Sequence, residues 1–198
     1  MRRALRVAAA LLLAAAAPPV TFRAEAPRFE RATETYRAIW AAQGARMIAA
    51  LEAETGLAFP DAPIEVIIFE GMSSSGLRDQ PMRLRASYDD DVKTATLVHE
   101  LGHRLIERLP RDPAIDEHRT LFLFLYDVWT DLYGQAFADR MVSIERGRRV
   151  SYDYDAAWTW ALSMSRGERN LRFQALRLLG ERQAKASQSA ASSNPRLR

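Results

Sequence analysis

The stretch His99-Glu100-Leu101-Gly102-His103 constrains the fold of this chain more than any other feature of its sequence. Residues four apart on an α-helix share one face, so both imidazoles can reach one metal ion if the stretch is helical. The chain holds only three histidines, and two of them lie here. The carboxylate of Glu100 can take a proton from a water bound to such a metal. The spacing therefore predicts a helical metal site with His99 and His103 as ligands and Glu100 as the base.

The flanking residues favour a helix around this stretch. The acids Asp89–Asp91 are good N-cap candidates, and Pro110 ends a helix that reaches about Arg108. Uncharged residues surround the histidines, and only Arg104 departs from that pattern. Two histidines and a glutamate at these offsets arise by chance in roughly one chain in a hundred or two. The helical context therefore matters, because the competing interpretation is a helix whose histidines pair only with carboxylates.

A catalytic zinc site needs three protein ligands and one open position for water. A second helix is predicted over Leu121–Gly134, which is apolar nearly all round and therefore buried. Its only charged residues are Asp127 and Asp131, one turn apart on one face. A buried carboxylate without a partner is costly, and a metal ion and a metal-bound histidine are suitable partners.

The motif at 99–103 is an instance of the HExxH pattern of zinc metallopeptidases. Together with the second helix, it resembles the gluzincin group, those similar to thermolysin, over about Asp91–Arg140. The resemblance implies a bound Zn²⁺ and hydrolysis of a peptide or protein substrate. It also implies Asp127 as the third ligand and Asp131 as the hydrogen-bond partner of His99. The ligand in that group is glutamate, so Asp127 is one methylene shorter than the pattern requires.

Two other residues remain candidates for the third ligand. Glu117 and His118 lie at the start of the same predicted helix, nearer in sequence to His103. On a helical wheel His118 falls away from Asp127, so both cannot bind the same metal without distortion. The alternatives to Asp127 are therefore Glu117 and His118.

The surrounding elements predict an α+β class: a zincin-like domain, mostly helical, with a small sheet preceding the HExxH helix. Phe29–Thr55 has the spacing of a long amphipathic helix, and Pro63–Glu70 is a short β-branched strand. Met82–Ser87 alternates as a half-exposed strand does, and in zincins an extended peptide can add to the edge of such a strand. Ala156–Met164 and Arg166–Gln183 are predicted to be helices.

The two ends of the chain differ in composition from the rest. Met1–Arg6 is basic and Val7–Ala17 is a run of eleven apolar residues, which predicts a signal peptide within residues 1–26 and a secreted or periplasmic protein. Eleven residues are too few to cross a bilayer as a helix, so no stable membrane span is expected. The metallopeptidase domain is then predicted at 27–183, and the Ser/Ala-rich tail 184–198 is predicted to be disordered.

The charge distribution argues against a nucleic-acid partner. The formal net charge is +3, and Arg2, Arg3 and Arg6 alone account for it. No basic–aromatic array stands elsewhere in the sequence. These features predict a zinc metallopeptidase and leave the oligomeric state open. One alternative is an exported zinc-binding or interaction domain with this fold and little or no turnover; the other is an intracellular regulatory peptidase, if the leader is not a signal.

Overall fold

The computed structural model describes residues 18–76, 80–110, 112 and 114–192. The strands are β1 (Val20–Ala24), β2 (Ile64–Phe69) and β3 (Met82–Arg85), and a 3-10 turn stands at Pro27–Phe29. The α-helices are α1 (Glu30–Thr55), α2 (Asp90–Ile106), α3 (Glu117–Phe122), α4 (Leu125–Tyr133), α5 (Gln135–Arg146), α6 (Tyr154–Leu162) and α7 (Arg166–Ser192). The predicted α+β class, mostly helical with a small sheet, is confirmed. Among these described residues, no helix is both long and apolar enough to cross a membrane.

The sheet is parallel, with the strand order β1-β2-β3. A parallel pair needs a crossover connection, and α1 supplies it between β1 and β2. The β-branched strand β2 lies in the middle, where Val66 and Ile68 are completely buried. A short run of β-branched residues favours a buried strand with a neighbour on each side, as β2 is here.

Strand β1 lies inside the segment that we assigned to the leader. All of its residues are in register with β2, from Val20 opposite Ile64 to Ala24 opposite Ile68. Phe22 is buried, and its carbonyl accepts a hydrogen bond of 2.8 Å from the Arg37 guanidinium. A cut after residue 26 would therefore remove an edge strand. The predicted leader itself falls mainly on residues 1–17, outside the described residues.

Helix α2 occupies the centre of the molecule and packs against α1, α3, α4 and β3. Its N-cap is Asp89, whose side chain accepts a hydrogen bond of 2.9 Å from the Val92 amide, as the acidic run upstream predicts. Gly102 allows the close approach of α3, since a Cβ there would stand 2.5 Å from Leu121 Cδ1. The helix that carries the motif is therefore buried on nearly all sides.

The single helix predicted over Leu121–Gly134 is two helices, α3 and α4. The break lies at Leu123 and Phe124, where Phe124 has φ −135° and packs edge-to-face on Phe173 of α7 at 5.1 Å. Every position from Leu121 to Leu125 is apolar, so a change of helix direction there leaves no mark in the hydrophobic pattern. His118 and Asp127, which a helical wheel placed on opposite sides of one helix, lie on two different helices.

Helix α7 continues to Ser192, beyond the end that we expected near Gln183. The residues over 184–192 include alanine, lysine and glutamine, which have high helix propensity and extend an existing helix easily. Of the tail predicted to be disordered, residues 193–198 lie outside the described residues.

Candidate metal centre

The structure brings the three histidines of the chain together. His99 and His103 come from α2, and His118 comes from the first turn of α3. One ligand nitrogen of each lies within 4.8 Å of the others. The first turn of α3 is held by Asp116, whose carboxylate accepts a hydrogen bond of 2.8 Å from the Arg119 amide. Three imidazoles at this separation are compatible with one metal ion.

The two histidines of α2 face each other through their Nε2 atoms, which lie 3.2 Å apart. The Nδ1 atom of each ring faces a carboxylate: Glu145 for His99 at 2.8 Å and Glu117 for His103 at 2.7 Å. If each Nδ1 carries the proton, both Nε2 lone pairs point at the same place, which is unfavourable unless a cation lies between them. Two ligands at about 2.0–2.1 Å from a tetrahedral zinc stand about 3.3–3.4 Å apart. The observed separation is close to that edge.

Glu145 of α5 orients His99. Its carboxylate is almost fully buried and accepts a hydrogen bond of 2.9 Å from the indole of Trp158, while Arg148 lies 3.5 Å away. Although burial opposes ionisation, His99, Arg148 and Trp158 together lower the pKa of Glu145 to about 2. Trp158 also stacks on Phe122 of α3 with 3.8 Å between ring centroids, so one side chain supports both Glu145 and α3. A charged carboxylate on the outer nitrogen fixes the ring and raises its basicity toward a metal.

Glu117 has the same relation to His103, although more than half of its side chain is exposed. Burial of His103 disfavours the imidazolium, but its hydrogen bond to the Glu117 carboxylate and the charges of Glu100, Glu117 and Glu145 raise the pKa of His103 overall. Glu117 was one candidate for the third ligand, and here it contacts the outer nitrogen of a histidine.

His118 is held from two sides by tyrosines. The hydroxyl of Tyr154 lies 2.9 Å from His118 Nε2, and the ring of Tyr152 stacks on the imidazole with 4.4 Å between centroids. The hydroxyl of Tyr152 donates to Asp116 at 2.7 Å. Burial, together with the neighbouring His99 and His103, lowers the pKa of His118 to about 3. His118 is therefore neutral near pH 7, which is the form that binds metals.

Glu100 directly follows His99 on α2, and it is only 4% exposed. Burial raises the pKa of Glu100, and the charges of His99, His103 and Arg148 counteract that effect. The role of Glu100 as the general base stays a prediction.

The acids of α4 contact arginines. Both oxygens of the buried Asp127 accept hydrogen bonds from Arg169 of α7, at 3.0 and 2.7 Å. Asp131 receives two hydrogen bonds from Arg166, at 2.8 and 2.6 Å, and Arg166 also contacts Glu54 of α1. Within the described part of the chain, Asp127 does not belong to the histidine cluster. The metal roles predicted for Asp127 and Asp131 stay predictions, and these contacts favour a structural role for both.

Sequence reasoning missed Glu145, the partner of His99. A signal was present in α5, whose buried residues Ala138, Met141, Val142 and Glu145 follow helical spacing. An acid at the last position of an otherwise apolar stripe has to find a partner inside the protein. Tyr152 and Tyr154 carried no comparable signal, because their positions depend on tertiary packing.

The outer edge of β3 is paired with the chain itself at Arg83. The amide and carbonyl of Ser74 form two hydrogen bonds of 2.9 Å with the backbone of Arg83, and Ser73 Oγ accepts from the Arg85 amide at 3.1 Å. Arg104, which departs from the uncharged pattern around the histidines in the sequence, donates to the Ser75 carbonyl at 2.6 Å. The edge that we expected to accept an extended peptide is therefore already covered at Arg83.

In comparisons with protein-family models, with curated proteins and with solved structures, nothing matches this chain. The interpretation of the site consequently depends on its own chemistry. That chemistry is a cluster of three imidazoles, with a carboxylate on the outer nitrogen of two of them and a buried glutamate beside the first.

Proposed function

We propose that this protein is a zinc-dependent metallopeptidase in which His99, His103 and His118 hold the metal and Glu100 is the general base. The observation that carries the proposal is the 3.2 Å approach of two Nε2 atoms whose rings have carboxylates on the opposite nitrogen. His118 is preferred as third ligand because it belongs to the cluster, whereas Asp127 is engaged by Arg169.

Zinc is one of the metals that this donor set suits. Three neutral imidazole nitrogens suit zinc, copper, iron or nickel, whereas magnesium and calcium require oxygen ligands. Three protein ligands also leave one position of a tetrahedral ion open for water or substrate, which is the arrangement of catalytic zinc sites. The carboxylates behind His99 and His103 add the outer contacts that metal-binding histidines usually have.

The proposed reaction is hydrolysis of a peptide bond. When bound, the metal would lower the pKa of a coordinated water toward about 7 and polarise the substrate carbonyl. Glu100 takes one proton from the attacking water as the new C–O bond forms. As the C–N bond breaks, Glu100 returns that proton to the leaving amine. Glu145 and Glu117 keep the rings of His99 and His103 in place during both steps.

Two measurements, zinc content and peptidase activity, separate metal binding from catalysis. Glu100→Gln keeps the shape of the side chain and removes the base. We expect about one zinc per chain in the purified wild type and in the variant, with peptidase activity lower by about 10² or more in the variant. Glu34→Gln, at an exposed position on α1, is the control and should retain full activity. Unchanged activity in Glu100→Gln would contradict the mechanism.

An exported zinc-binding domain with little or no turnover is the second candidate. Its support is the burial of the site: His99 is 2% and Glu100 is 4% exposed, and Tyr152 stacks on His118. A substrate needs access that these side chains limit. Stoichiometric zinc without cleavage of a diverse peptide library would favour this candidate over the peptidase.

Export is a separate part of the proposal, supported by the basic residues 1–6 and the apolar run 7–17. Because β1 is paired with β2 along its whole length, we expect the mature chain to begin at or before Val20. N-terminal sequencing of protein recovered outside the cytoplasm measures this. An intact Met1 on cytoplasmic protein would contradict export and favour an intracellular peptidase.

A further inference from the structure

A cavity of about 340 Å³ lies between the C-terminal end of α2 and the start of α3. This volume is within the range of small-molecule and side-chain binding pockets. The cavity is next to the histidine cluster. Its wall includes Glu117, which contacts His103. It also includes Asp116, which accepts a hydrogen bond from the hydroxyl of Tyr152, and the Tyr152 ring stacks on His118. The cavity therefore borders the side of His103 that faces away from His99.

The chemistry of the wall combines an apolar surface with negative charge. Ile106, Leu109 and Ile115 provide aliphatic surface. Glu107 and Asp112 add carboxylates beyond those of Asp116 and Glu117, and none of the described lining residues is basic.

The carboxylates in the wall differ in how they are engaged. Asp116 already accepts hydrogen bonds from Arg119 and Tyr152, and Glu117 contacts His103. Asp112 accepts a hydrogen bond of 2.8 Å from the Ala114 amide. Burial lowers the pKa of Arg104 and the charge of Glu107 opposes that effect, so Glu107 has Arg104 as a neighbour. Glu107 and Asp112 are both distinct from the partners of the histidines.

We propose that this pocket selects the substrate by binding the side chain of a lysine or arginine next to the cleaved bond. These side chains have an aliphatic stem and a cationic end, so the stem packs on the isoleucines and Leu109 while the cation meets the carboxylates. A side chain of equal length without charge gains only the apolar contact, and an acidic side chain is repelled. The inference builds on the proposed peptidase function and adds the class of residue that the enzyme prefers.

The experiment uses the full zinc-loaded protein and a set of fluorogenic peptides that differ at one residue beside the cleaved bond: Lys, Arg, Met, Gln or Glu. We expect kcat/KM for the Lys and Arg peptides to exceed that for Met by about tenfold, mainly through a lower KM. In the double variant Glu107→Gln/Asp112→Asn this preference should fall to about onefold, through a higher KM for the Lys and Arg peptides. Asparagine keeps the acceptor for the Ala114 amide.

The control is Glu34→Gln/Asp61→Asn, which removes two exposed acids elsewhere. It should keep the preference, and loss there would show that net charge, not the pocket, is responsible. Two outcomes would contradict the pocket proposal and leave the peptidase proposal intact. One is cleavage of all peptides at equal rates, and the other is a decrease in kcat/KM in the double variant that is the same for every peptide. If no peptide is cut, the peptidase proposal fails, and anisotropy with the same peptides decides on the pocket: a Lys preference that the double variant loses supports it, and equal binding rejects it.

Discussion

Helices α2 and α4 each hold a pair of polar residues four positions apart, and the two pairs have different partners. On α2, His99 and His103 turn their outer nitrogens to Glu145 and Glu117 and their inner nitrogens to each other. On α4, both oxygens of Asp127 are occupied by Arg169, and Asp131 is held by Arg166 in the same way.

The comparison shows that spacing identifies a shared face, whereas the partner decides what the pair does. A carboxylate in an apolar helix requires a positive partner, but the requirement does not distinguish a metal from a guanidinium. Asp127 finds its cation 42 residues later in the chain. Among the residues that the structure describes, no guanidinium is bonded to the facing Nε2 atoms of His99 and His103, and this is where a cation fits.

The largest expected effect is on metal content. His99→Ala, His103→Ala and His118→Ala should each purify with far less than the roughly one zinc per chain of the wild type, because each removes one of three ligands. Asp127→Asn should keep zinc in the folded fraction. Elemental analysis after gel filtration measures both. Zinc loss in Asp127→Asn together with full zinc in His118→Ala would restore Asp127 as the third ligand.

The second prediction concerns stability. Asp127→Ala leaves the guanidinium of Arg169 buried without its partner, so we expect a loss of about 3–5 kcal/mol in the free energy of unfolding. Asp127→Leu/Arg169→Met removes both charges and should recover most of that loss. Urea unfolding of the zinc-free proteins separates this effect from metal binding. A cost that appears only when zinc is present would place Asp127 at the metal.

The parts of the fold that follow from local pattern could be predicted. The acidic N-cap of α2, the β-branched strand β2 and the long helix α1 are all signalled by residues near one another in sequence. Strand β1 could not, because its residues follow directly on an apolar leader-like run. Its pairing with β2 depends on a partner more than 40 residues away.

The candidate site shows the same division. His99, Glu100 and His103 follow from helix geometry alone. Asp127 was preferred over Glu117 and His118 because of the gluzincin resemblance and its place in an apolar helix. The helical wheel that separated His118 from Asp127 assumed one continuous helix, and the break at Phe124 removes that assumption. Contacts between distant helices, which no local pattern contains, decide which side chains meet.

A smaller effect is expected at the carboxylate behind His99. Glu145→Gln keeps an acceptor and the size of the side chain but removes the charge, so zinc affinity should fall by about 10–100-fold. Asp131→Asn, the equivalent change at the acid that we first paired with His99, should leave zinc affinity unchanged. Competition with a chromogenic chelator measures both dissociation constants. The opposite ranking of the two variants would show that Asp131, not Glu145, supports the metal.

The smallest effect is the pH dependence of the Asp131–Arg166 pair. The hydrogen bonds from Arg166 lower the pKa of Asp131 below its ordinary value, although its side chain is 46% exposed and water screens the pair. Because the folded pKa is the lower one, the pair stabilises the protein above the unfolded value of about 3.9 and loses that contribution as the pH falls through the folded value.

Asp131→Asn should therefore cost roughly 0.2–1 kcal/mol at pH 7, the range of exposed ion pairs, and the difference from wild type should shrink below pH 4. Urea midpoints of the zinc-free proteins across this pH range measure it. High salt should weaken the effect, since an exposed pair is screened. A cost of several kcal/mol, or one that persists in acid, would mean that Asp131 is as strongly coupled to the interior as Asp127, and the contrast between the exposed and the buried acid of α4 would disappear.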